Sequence, residues 1–207
     1  MGIRGRQMVA ELNGTSCYPL EQEGRVSKSI MRTRTFGEDT SNAHVIEAAL
    51  ATFVSRASHA LRRENQLTKR IGFFITTNKH KPGYKSWSRE AKLSVPTSDN
   101  GILLGEIMRL FGSVYRPSYS YHRAGVFLYD FIPRMALQTD IFGMLDADSY
   151  NKSTRRMKAL DRINSRFGRR TLYYAAEELA HSWEPQHKLR SPRYVSNWEE
   201  LPKAKII

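Results

Sequence analysis

The sequence predicts an α+β fold: a four-stranded sheet in β-α-β-β-α-β order, two helices on one of its faces, and a small C-terminal α/β tail segment. Two observations lead to this prediction. Segments with helical periodicity alternate with runs rich in β-branched and aromatic residues, and the polar clusters between them have turn and N-cap composition. With 207 residues, of which 40% are hydrophobic and 26% charged, the chain can bury a sizeable core.

The first predicted strand covers residues 27–37, SKSIMRTRTFG, where apolar and polar side chains alternate. The alternation leaves open which arginines point outward, because two apolar residues and two arginines share one parity: Ile30, Arg32, Arg34 and Phe36. A helix is expected next, since N-cap candidates at residues 40–42 precede apolar residues at helical spacing from Ile46 to Leu61.

Two strands, a helix and a last strand follow. Residues 69–80 are rich in aromatic and β-branched residues and predict the second strand, which a Pro-Gly turn ends. The third strand is predicted over residues 85–96, with four side chains on one face: Trp87, Ala91, Leu93 and Val95. Residues 97–99 offer N-caps for the second helix, and the run RAGVFLYDFI at 123–132 predicts the last strand.

The N-terminal segment and the cysteine content add two further expectations. Residues 2–12 predict a helix that ends at Asn13-Gly14. Cys17 is the single cysteine of the chain, which excludes an intramolecular disulfide and a cysteine-based metal site. This cysteine usage predicts a cytosolic protein.

The charge of the chain is its strongest global property. The formal net charge is +13 and the pI is about 10.0. A chain this basic attracts polyanions, either nucleic acid or an anionic membrane surface. The sequence has no apolar run long enough to cross a bilayer, and its N-terminus lacks the apolar region of a secretion signal. We therefore expect nucleic acid, rather than a membrane, as the partner.

Basic residues cluster on or beside the predicted strands, interleaved with Ser, Thr and Asn, and between Lys69 and Lys92 only Glu90 opposes their charge. Such side chains donate to phosphate oxygens, which holds a nucleic-acid backbone without reading its sequence. The alternative is a solvated, charged sheet face. The candidate DNA-binding residues are Lys28, Ser29, Arg32, Arg34, Thr76, Asn78, Lys79, Lys81, Lys85, Arg89 and Lys92.

Three blocks carry motifs in a characteristic order: GIRGRQMVAELNGTSCYPLE at the N-terminus, then SKSIMRTRTFGEDT, RIGFFITTN and HRAGVFLYDF, and finally GRRTLYYA with LRSPRYVSNWEELP. They resemble the end of the thumb, the little-finger strands and the appended tail of UmuC-type Y-family translesion DNA polymerases. The resemblance implies four parts: residues 1–25 as the end of the thumb and a linker, 26–135 as a DNA-binding little finger, 136–149 as a linker with a clamp-binding peptide, and 150–207 as the UmuC-type C-terminal segment.

The resemblance implies a non-catalytic part of an error-prone polymerase in DNA repair and SOS mutagenesis, working in the bacterial cytoplasm on the nucleoid. Its expected partners are damaged primer–template DNA, the sliding clamp, processed UmuD and the catalytic half of the polymerase. An alternative is a stand-alone regulatory remnant that competes with an intact polymerase for DNA or clamp. An unrelated RNA-binding α+β domain is a third interpretation, and we disfavour it because the sequence shows no paired ring-stacking pattern.

The family carries a clamp-docking pentapeptide of the form Q-L-x-L-F between the little finger and the tail. Gln138, Thr139, Asp140, Ile141 and Phe142 stand in that register here, with threonine where the family favours leucine. Chemically, such a peptide offers a glutamine to a polar pocket and two apolar anchors to a deep one. The alternative is that the two apolar residues pack on the little finger or begin the tail helix.

The resemblance also implies that catalysis belongs elsewhere. Family members bind two magnesium ions through palm carboxylates, and this chain is expected to begin inside the thumb. The pair Asp146 and Asp148 is interpreted as part of a solvated linker, Glu177 and Glu178 as a solvated helix face, and the histidines show no metal-ligand spacing. We therefore expect no enzyme activity, no metal and no cofactor in this chain.

Two groups in the tail leave alternatives open. Arginines lie beside tyrosines at Arg166, Arg169, Arg170, Tyr173 and Tyr174. They either grip a single strand by stacking or form a basic helix end followed by a packed strand. Trp183 and Trp198 are expected to pin the tail to itself or to the polymerase body.

Overall fold

The computed structural model describes residues 2–18, 27–136, 146–177, 183–185 and 191–201. Within these ranges the elements are α1 Ile3–Leu12, β1 Ser29–Thr40, α2 Ala43–Arg63, β2 Gln66–Thr76, β3 Ser86–Thr97, α3 Asn100–Val114, β4 Tyr121–Pro133 and α4 Ala147–Phe167. Three short 3-10 turns, Arg134–Ala136, Ala175–Glu177 and Trp198–Glu200, complete the described structure.

The four strands form one antiparallel sheet in the order β1-β4-β2-β3. The central strands β2 and β4 pair with each other, and β1 and β3 are the edges. The predicted β-α-β-β-α-β order and the α+β class are confirmed. The helix at residues 2–12 is also confirmed, since α1 ends at Leu12 and Gly14 has a φ of 80°.

The core lies between the sheet and the two helices α2 and α3. Strand residues of alternating parity and one face of each helix are almost fully buried: Ile71, Phe73, Ile75, Ala124, Val126, Leu128, Leu50, Phe53, Leu61, Leu103, Ile107 and Phe111. Each buried aliphatic or phenyl side chain contributes roughly 1.5–3 kcal/mol relative to exposure. The helical periodicity therefore identified the buried faces correctly.

Both central helices begin at N-caps that the sequence offers. The Asn42 side chain accepts a hydrogen bond from the backbone N–H of His44 at 3.0 Å. Asp99 Oδ1 accepts from the backbone N–H of Gly101 at 2.7 Å and from that of Ile102 at 3.3 Å. Each cap satisfies backbone donors that the first helical turn leaves unpaired.

The described part of the tail is helical, with no strand. Helix α4 is polar and is N-capped by Asp146, whose side chain accepts from the N–H of Asp148 at 3.1 Å. The helix ends at Gly168, whose φ of 108° favours glycine. Residues 171–174, where a packed strand was one expectation, form a turn and an irregular segment.

Over the described ranges, every helix is too short or too polar to cross a bilayer. In the same part of the chain, His, Cys, Asp and Glu side chains do not gather in groups of three or more that could hold a metal ion.

Candidate nucleic-acid interface

The sheet has one face under the helices and a second face, which we call the open face. Residues 71, 73 and 75 of β2 and residues 124, 126 and 128 of β4 point into the core. Because successive side chains of a strand point to opposite sides, their neighbours form the open face. On the two central strands these are Arg70, Gly72, Phe74, Thr76, Arg123, Gly125, Phe127 and Tyr129.

The register of β1 resolves the parity question that its sequence left open. Arg32 pairs with Val126 and Arg34 with Ala124, both of which are core residues. Since directly paired residues share a face, Arg32 and Arg34 lie on the helix side of the sheet. They remain accessible because β1 is an edge strand, where a polar residue on the inner face can still reach water.

The candidate DNA-binding residues are therefore divided among three places. Arg89 pairs with Phe73 and joins Arg32 and Arg34 on the helix side. Ser29, Thr76 and Lys92 pair with open-face residues and lie on the open face. Lys28 precedes β1, and the remaining candidates lie in the β2–β3 hairpin loop: Asn78, Lys79, Lys81 and Lys85. The strand register therefore does not place all of the candidate DNA-binding residues on one face of the sheet.

Some of these cations already have protein partners. Arg34 and Arg56 both approach Glu184 of the tail, at 3.8 and 3.4 Å. Lys81 Nζ lies 2.7 Å from Asp39 Oδ2, and Lys85 Nζ donates to the Tyr119 hydroxyl at 2.7 Å. These contacts hold the hairpin loop and the β1 edge in place.

Asp39 sits between the hairpin loop and β4. It contacts His122 Nδ1 at 2.5 Å in addition to Lys81. Burial would raise the pKa of the Asp39 carboxyl, but the hydrogen bonds from Lys81 and His122 outweigh burial, so its pKa lies below its ordinary value. Asp39 is thus a carboxylate that offsets local positive charge.

Arg123 is an open-face cation that the sequence reasoning missed. It is exposed, its Nε donates to Thr33 Oγ1 at 3.0 Å, and its guanidinium lies 5.7 Å from the centre of the Phe74 ring. The sequence does indicate the orientation of Arg123. The apolar residues 124, 126 and 128 alternate along the strand and face the core, so residue 123 must point to the other side of the sheet.

Arg70 and Tyr129 form a second group on the open face. The Arg70 guanidinium lies 5.9 Å from the Tyr129 ring centre, and Arg70 Nη1 lies 3.4 Å from Glu90 Oε1. The Tyr129 hydroxyl donates a hydrogen bond to Glu90. Burial and this bond to Glu90 raise the pKa of Tyr129, which keeps its hydroxyl protonated. Glu90 is thereby engaged by both neighbours.

Two phenylalanines face two glycines across the central strands. Phe127 pairs with Gly72, and a Cβ on Gly72 would lie 2.4 Å from the Phe127 ring; Phe74 pairs with Gly125, and a Cβ there would lie 2.5 Å from the Phe74 ring. Each ring therefore occupies the space of the missing side chain. The register between strands distant in sequence therefore places one phenyl ring of each central strand on the open face.

The tail packs against the opposite side of the domain, over α2 and α3. Trp183 is 1% exposed and belongs to the core, with its ring edge-on to Phe53 at 5.3 Å. The Trp183 carbonyl accepts from the N–H of Gly37 at 3.1 Å. A Cβ on Gly37 would lie 3.0 Å from the Glu184 carbonyl oxygen, so glycine permits the close approach of the tail. Trp183 pins the tail to the sheet domain, whereas Trp198 is 89% exposed.

A buried arginine joins α2 to α4. Arg62 donates to both carboxylate oxygens of Asp161, at 2.7 and 2.8 Å. Its Nη1 donates to the Ser98 carbonyl and to Asn100 Oδ1, each at 2.7 Å. Burial would raise the pKa of Asp161, but the bonds from Arg62 and His59 outweigh it, and the pKa lies below its ordinary value.

Asp99 links the start of α3 to α4 in a similar way. Its Oδ2 accepts from Arg156 at 2.7 Å and from the Ser153 hydroxyl. Burial would raise the pKa of Asp99, and these bonds outweigh burial, so its pKa is lowered. Met157, which is 2% exposed, packs beside them. The tail helix is thus attached through both polar and apolar contacts.

Glu177 corrects another expectation. Glu177 is not part of a solvated helix face: it is 4% exposed and accepts a hydrogen bond from the Ser55 hydroxyl at 2.6 Å. Its chain neighbour Tyr174 donates a backbone N–H to the same carboxylate at 3.2 Å. Two adjacent glutamates in a sequence do not reveal which of them, if either, is buried against the rest of the protein.

Two further tail arginines make local ring contacts. The Arg166 guanidinium lies 5.3 Å from the Phe167 ring centre, and that of Arg170 lies 5.6 Å from the Tyr173 ring centre. The predicted clamp-binding residues, Gln138, Thr139, Asp140, Ile141 and Phe142, lie outside the described residues. Their role stays a prediction.

Comparison with known families gives two matches along the chain. Residues 27–141 match the model of the impB/mucB/samB family C-terminal domain. Residues 155–204 match a domain of unknown function, DUF4113. The first match covers the sheet domain, and the second covers most of α4 and the residues after it.

Similar proteins come from Salmonella typhimurium. "Protein ImpB" and "Protein SamB" are each 30% identical over 201 residues, which is 96% of this chain and 46% of each relative. "Protein UmuC" is 28% identical over 95% of this chain and 47% of its own length. The chain spans about half the length of the curated relatives it matches.

A solved structure described as an insertion ternary complex of Dbh DNA polymerase is also similar. It is 17% identical, with a TM-score of 0.39, and the match covers 62% of this chain and 35% of that chain.

Proposed function

Because the impB/mucB/samB model covers more than half of its residues, the chain belongs to that family, and we propose that it acts as the C-terminal portion of a UmuC-type translesion DNA polymerase. Its work is to hold primer–template DNA and to tether the polymerase to the sliding clamp during SOS mutagenesis. We assign nucleotidyl transfer, and the Mg²⁺ ions that support it, to a palm outside these 207 residues. Processed UmuD and that catalytic half are the further proposed partners, on the nucleoid.

The observation that carries the DNA-binding proposal is the open face of the sheet. It presents Arg70, Lys92 and Arg123. Two carboxylates lie beside them: Glu90, which Arg70 and Tyr129 engage, and Asp130, whose Oδ2 lies 3.9 Å from Arg70 Nε. The β2–β3 loop adds exposed lysines beside it. Lys and Arg on such a surface bind phosphates and release counterions, so the affinity depends on salt and little on sequence.

Substitution of Lys92 tests which face binds DNA. Lys92→Ala is expected to weaken binding to a labelled primer–template equally for different sequences and to reduce the salt slope by about 1, as the loss of one phosphate contact does. Fluorescence anisotropy at several salt concentrations measures both quantities. Arg32→Ala is the matched control, since Arg32 is a basic strand residue on the helix side. A larger loss in Arg32→Ala than in Lys92→Ala would reverse the assignment of faces.

The clamp-tethering proposal rests on the pentapeptide register at residues 138–142. Burial of the Ile141 and Phe142 side chains in a partner contributes roughly 1.5–3 kcal/mol each, which makes these two side chains the main anchors of the proposed contact. The peptide would raise the local concentration of the polymerase at the primer end.

Phe142→Ala is expected to abolish binding of the chain to the bacterial sliding clamp, because it removes the aromatic anchor of the peptide. Surface plasmon resonance with immobilised clamp measures this. Met135→Ala is the control, since Met135 is 99% exposed and precedes the peptide. Equal binding by the wild type and Phe142→Ala would contradict the proposal, and so would absence of binding by the wild type.

A further inference from the structure

The open face has an aromatic centre that phosphate binding does not use. Phe127 and Phe74 lie on the two central strands, at diagonal positions of the β2–β4 register. Each covers the glycine opposite it, Gly72 or Gly125. A ring that fills the place of a missing side chain lies low along the sheet, and both rings are only half-buried. Diagonal positions on one sheet face are about 7–8 Å apart, so each ring can accept a separate flat group.

Cations and a third ring surround this pair. The Tyr129 ring lies 5.9 Å from that of Phe127, with 34° between the two planes. The Arg123 guanidinium is 5.7 Å from the centre of the Phe74 ring, and that of Arg70 is 5.9 Å from the centre of the Tyr129 ring. Proteins that bind single-stranded nucleic acid combine these two elements, since bases stack on rings and phosphates bind nearby cations.

Contact with a glycine accounts for one side of each ring, and both rings keep part of their surface exposed. Covering a glycine stabilises a sheet, but it uses the ring surface that faces the backbone. The outward surface belongs to a patch that also includes Met31, which is 54% exposed and pairs with Phe127. An apolar patch rimmed by cations, on a chain with a net charge of +13, is complementary to a ligand with flat apolar faces and a charged backbone.

We infer that Phe74, Phe127 and Tyr129, together with Arg70 and Arg123, bind unpaired bases of single-stranded DNA by stacking. This inference rests on the proposed DNA-binding function and makes its ligand more specific. Duplex DNA offers phosphates to the same cations, but its bases are stacked on each other. A single-stranded template segment offers both the phosphates and the faces of its bases.

Phe127→Leu tests the inference, because leucine still covers Gly72 but has no ring on which a base can stack. In the full chain, this variant is expected to bind a labelled oligothymidylate roughly five- to a hundredfold more weakly, which corresponds to the loss of one base–ring stack. Its affinity for a hairpin duplex is expected to change by less than about twofold. Fluorescence anisotropy measures both affinities, and circular dichroism verifies the fold.

Trp198→Leu is the matched control, since Trp198 is an 89% exposed ring in the tail rather than on a strand of the sheet. An oligothymidylate affinity unchanged in Phe127→Leu, or an equal loss on the duplex, would overturn the inference. If the wild type binds the duplex in a salt-dependent way while Phe127→Leu binds the single strand normally, the inference fails and the proposed function stands. If the wild type binds neither DNA, the proposed function itself fails. Stronger binding to oligouridylate than to oligothymidylate would overturn DNA as the ligand.

Discussion

Replacement of Trp183 by alanine is expected to lower the free energy of unfolding by about 3–5 kcal/mol, the usual range for loss of a buried tryptophan. Trp183 is 1% exposed, and its ring packs edge-on against Phe53 in the core of the sheet domain. Its removal leaves a cavity between α2 and the tail, which the surrounding side chains fill only in part. Urea unfolding of the full chain, followed by circular dichroism, measures the change.

Trp198→Ala is the control for this experiment, since Trp198 lies in the same tail and is 89% exposed. Its effect is expected to stay within about 0.5 kcal/mol. Equal effects of the two substitutions would show that the tail does not contribute to the core. A second urea transition in Trp183→Ala would show instead that the tail unfolds separately from the sheet domain.

The packing of Trp183 shows a structural role for the segment that matches the domain of unknown function. Residues 155–204 match that domain, yet its Trp183 is part of the same core as Phe53 of α2. Its Glu177 accepts from Ser55, and its Glu184 approaches Arg34 and Arg56. The tail therefore completes the sheet domain.

Periodicity and capping made much of the fold predictable. Helical spacing between Ile46 and Leu61 identified the buried face of α2, and the polar residues before each helix contained its N-cap. These signals are local, because each depends on residues within a few positions of one another. The order of the elements then restricted the topology to a sheet with helices on one face.

The site was less predictable because its geometry depends on register between strands distant in sequence. Arg32 and Arg34 alternate with threonines in a pattern that is compatible with either face. Only their pairing with Val126 and Ala124 assigns them to the helix side. The Phe127–Gly72 pair and the Arg62–Asp161 pair are likewise long-range and leave no periodic trace.

Arg62→Met is expected to lower the free energy of unfolding by about 3 kcal/mol. Removal of one partner from a buried ion pair typically costs about 3–5 kcal/mol. The low end applies because the Asp161 side chain keeps 24% of its surface exposed. Methionine preserves most of the apolar stem of the arginine but removes the Arg62 donors from Asp161, Asn100 Oδ1 and the Ser98 carbonyl. Asp161 then keeps only its contact with His59, and Asn100 Oδ1 keeps the Ser58 hydroxyl, among the hydrogen bonds described for them. Thermal or urea unfolding at neutral pH measures the loss.

Arg109→Met is the matched control. Arg109 is also a helical arginine with a carboxylate partner, Glu106, at 2.6 Å, but its side chain is 66% exposed. Exposed pairs of this kind contribute about 0–1 kcal/mol, so this variant is expected to unfold almost as the wild type does. Equal losses in the two variants would mean that burial of Arg62 adds nothing to the stability of the chain.

The pH dependence separates the ion pair from simple packing. The pKa of Asp161 in the folded chain lies below its ordinary value of 3.8. As the pH falls from the ordinary value towards the folded one, Asp161 therefore binds a proton in the unfolded chain before it does so in the folded chain. The contribution of the pair is therefore fully present above the unfolded pKa and is lost as the pH drops towards the folded one. Asp99 also has a lowered pKa. Because Asp99 is present in the wild type and in Arg62→Met alike, its contribution cancels in the stability difference between them. The stability difference between wild type and Arg62→Met should thus shrink below about pH 4. The contact of His59 with Asp161 at 3.1 Å is common to both proteins. If the stability difference between wild type and Arg62→Met does not change with pH, Arg62 stabilises the protein by packing. In that case its ion pair with Asp161 does not contribute to docking of the tail.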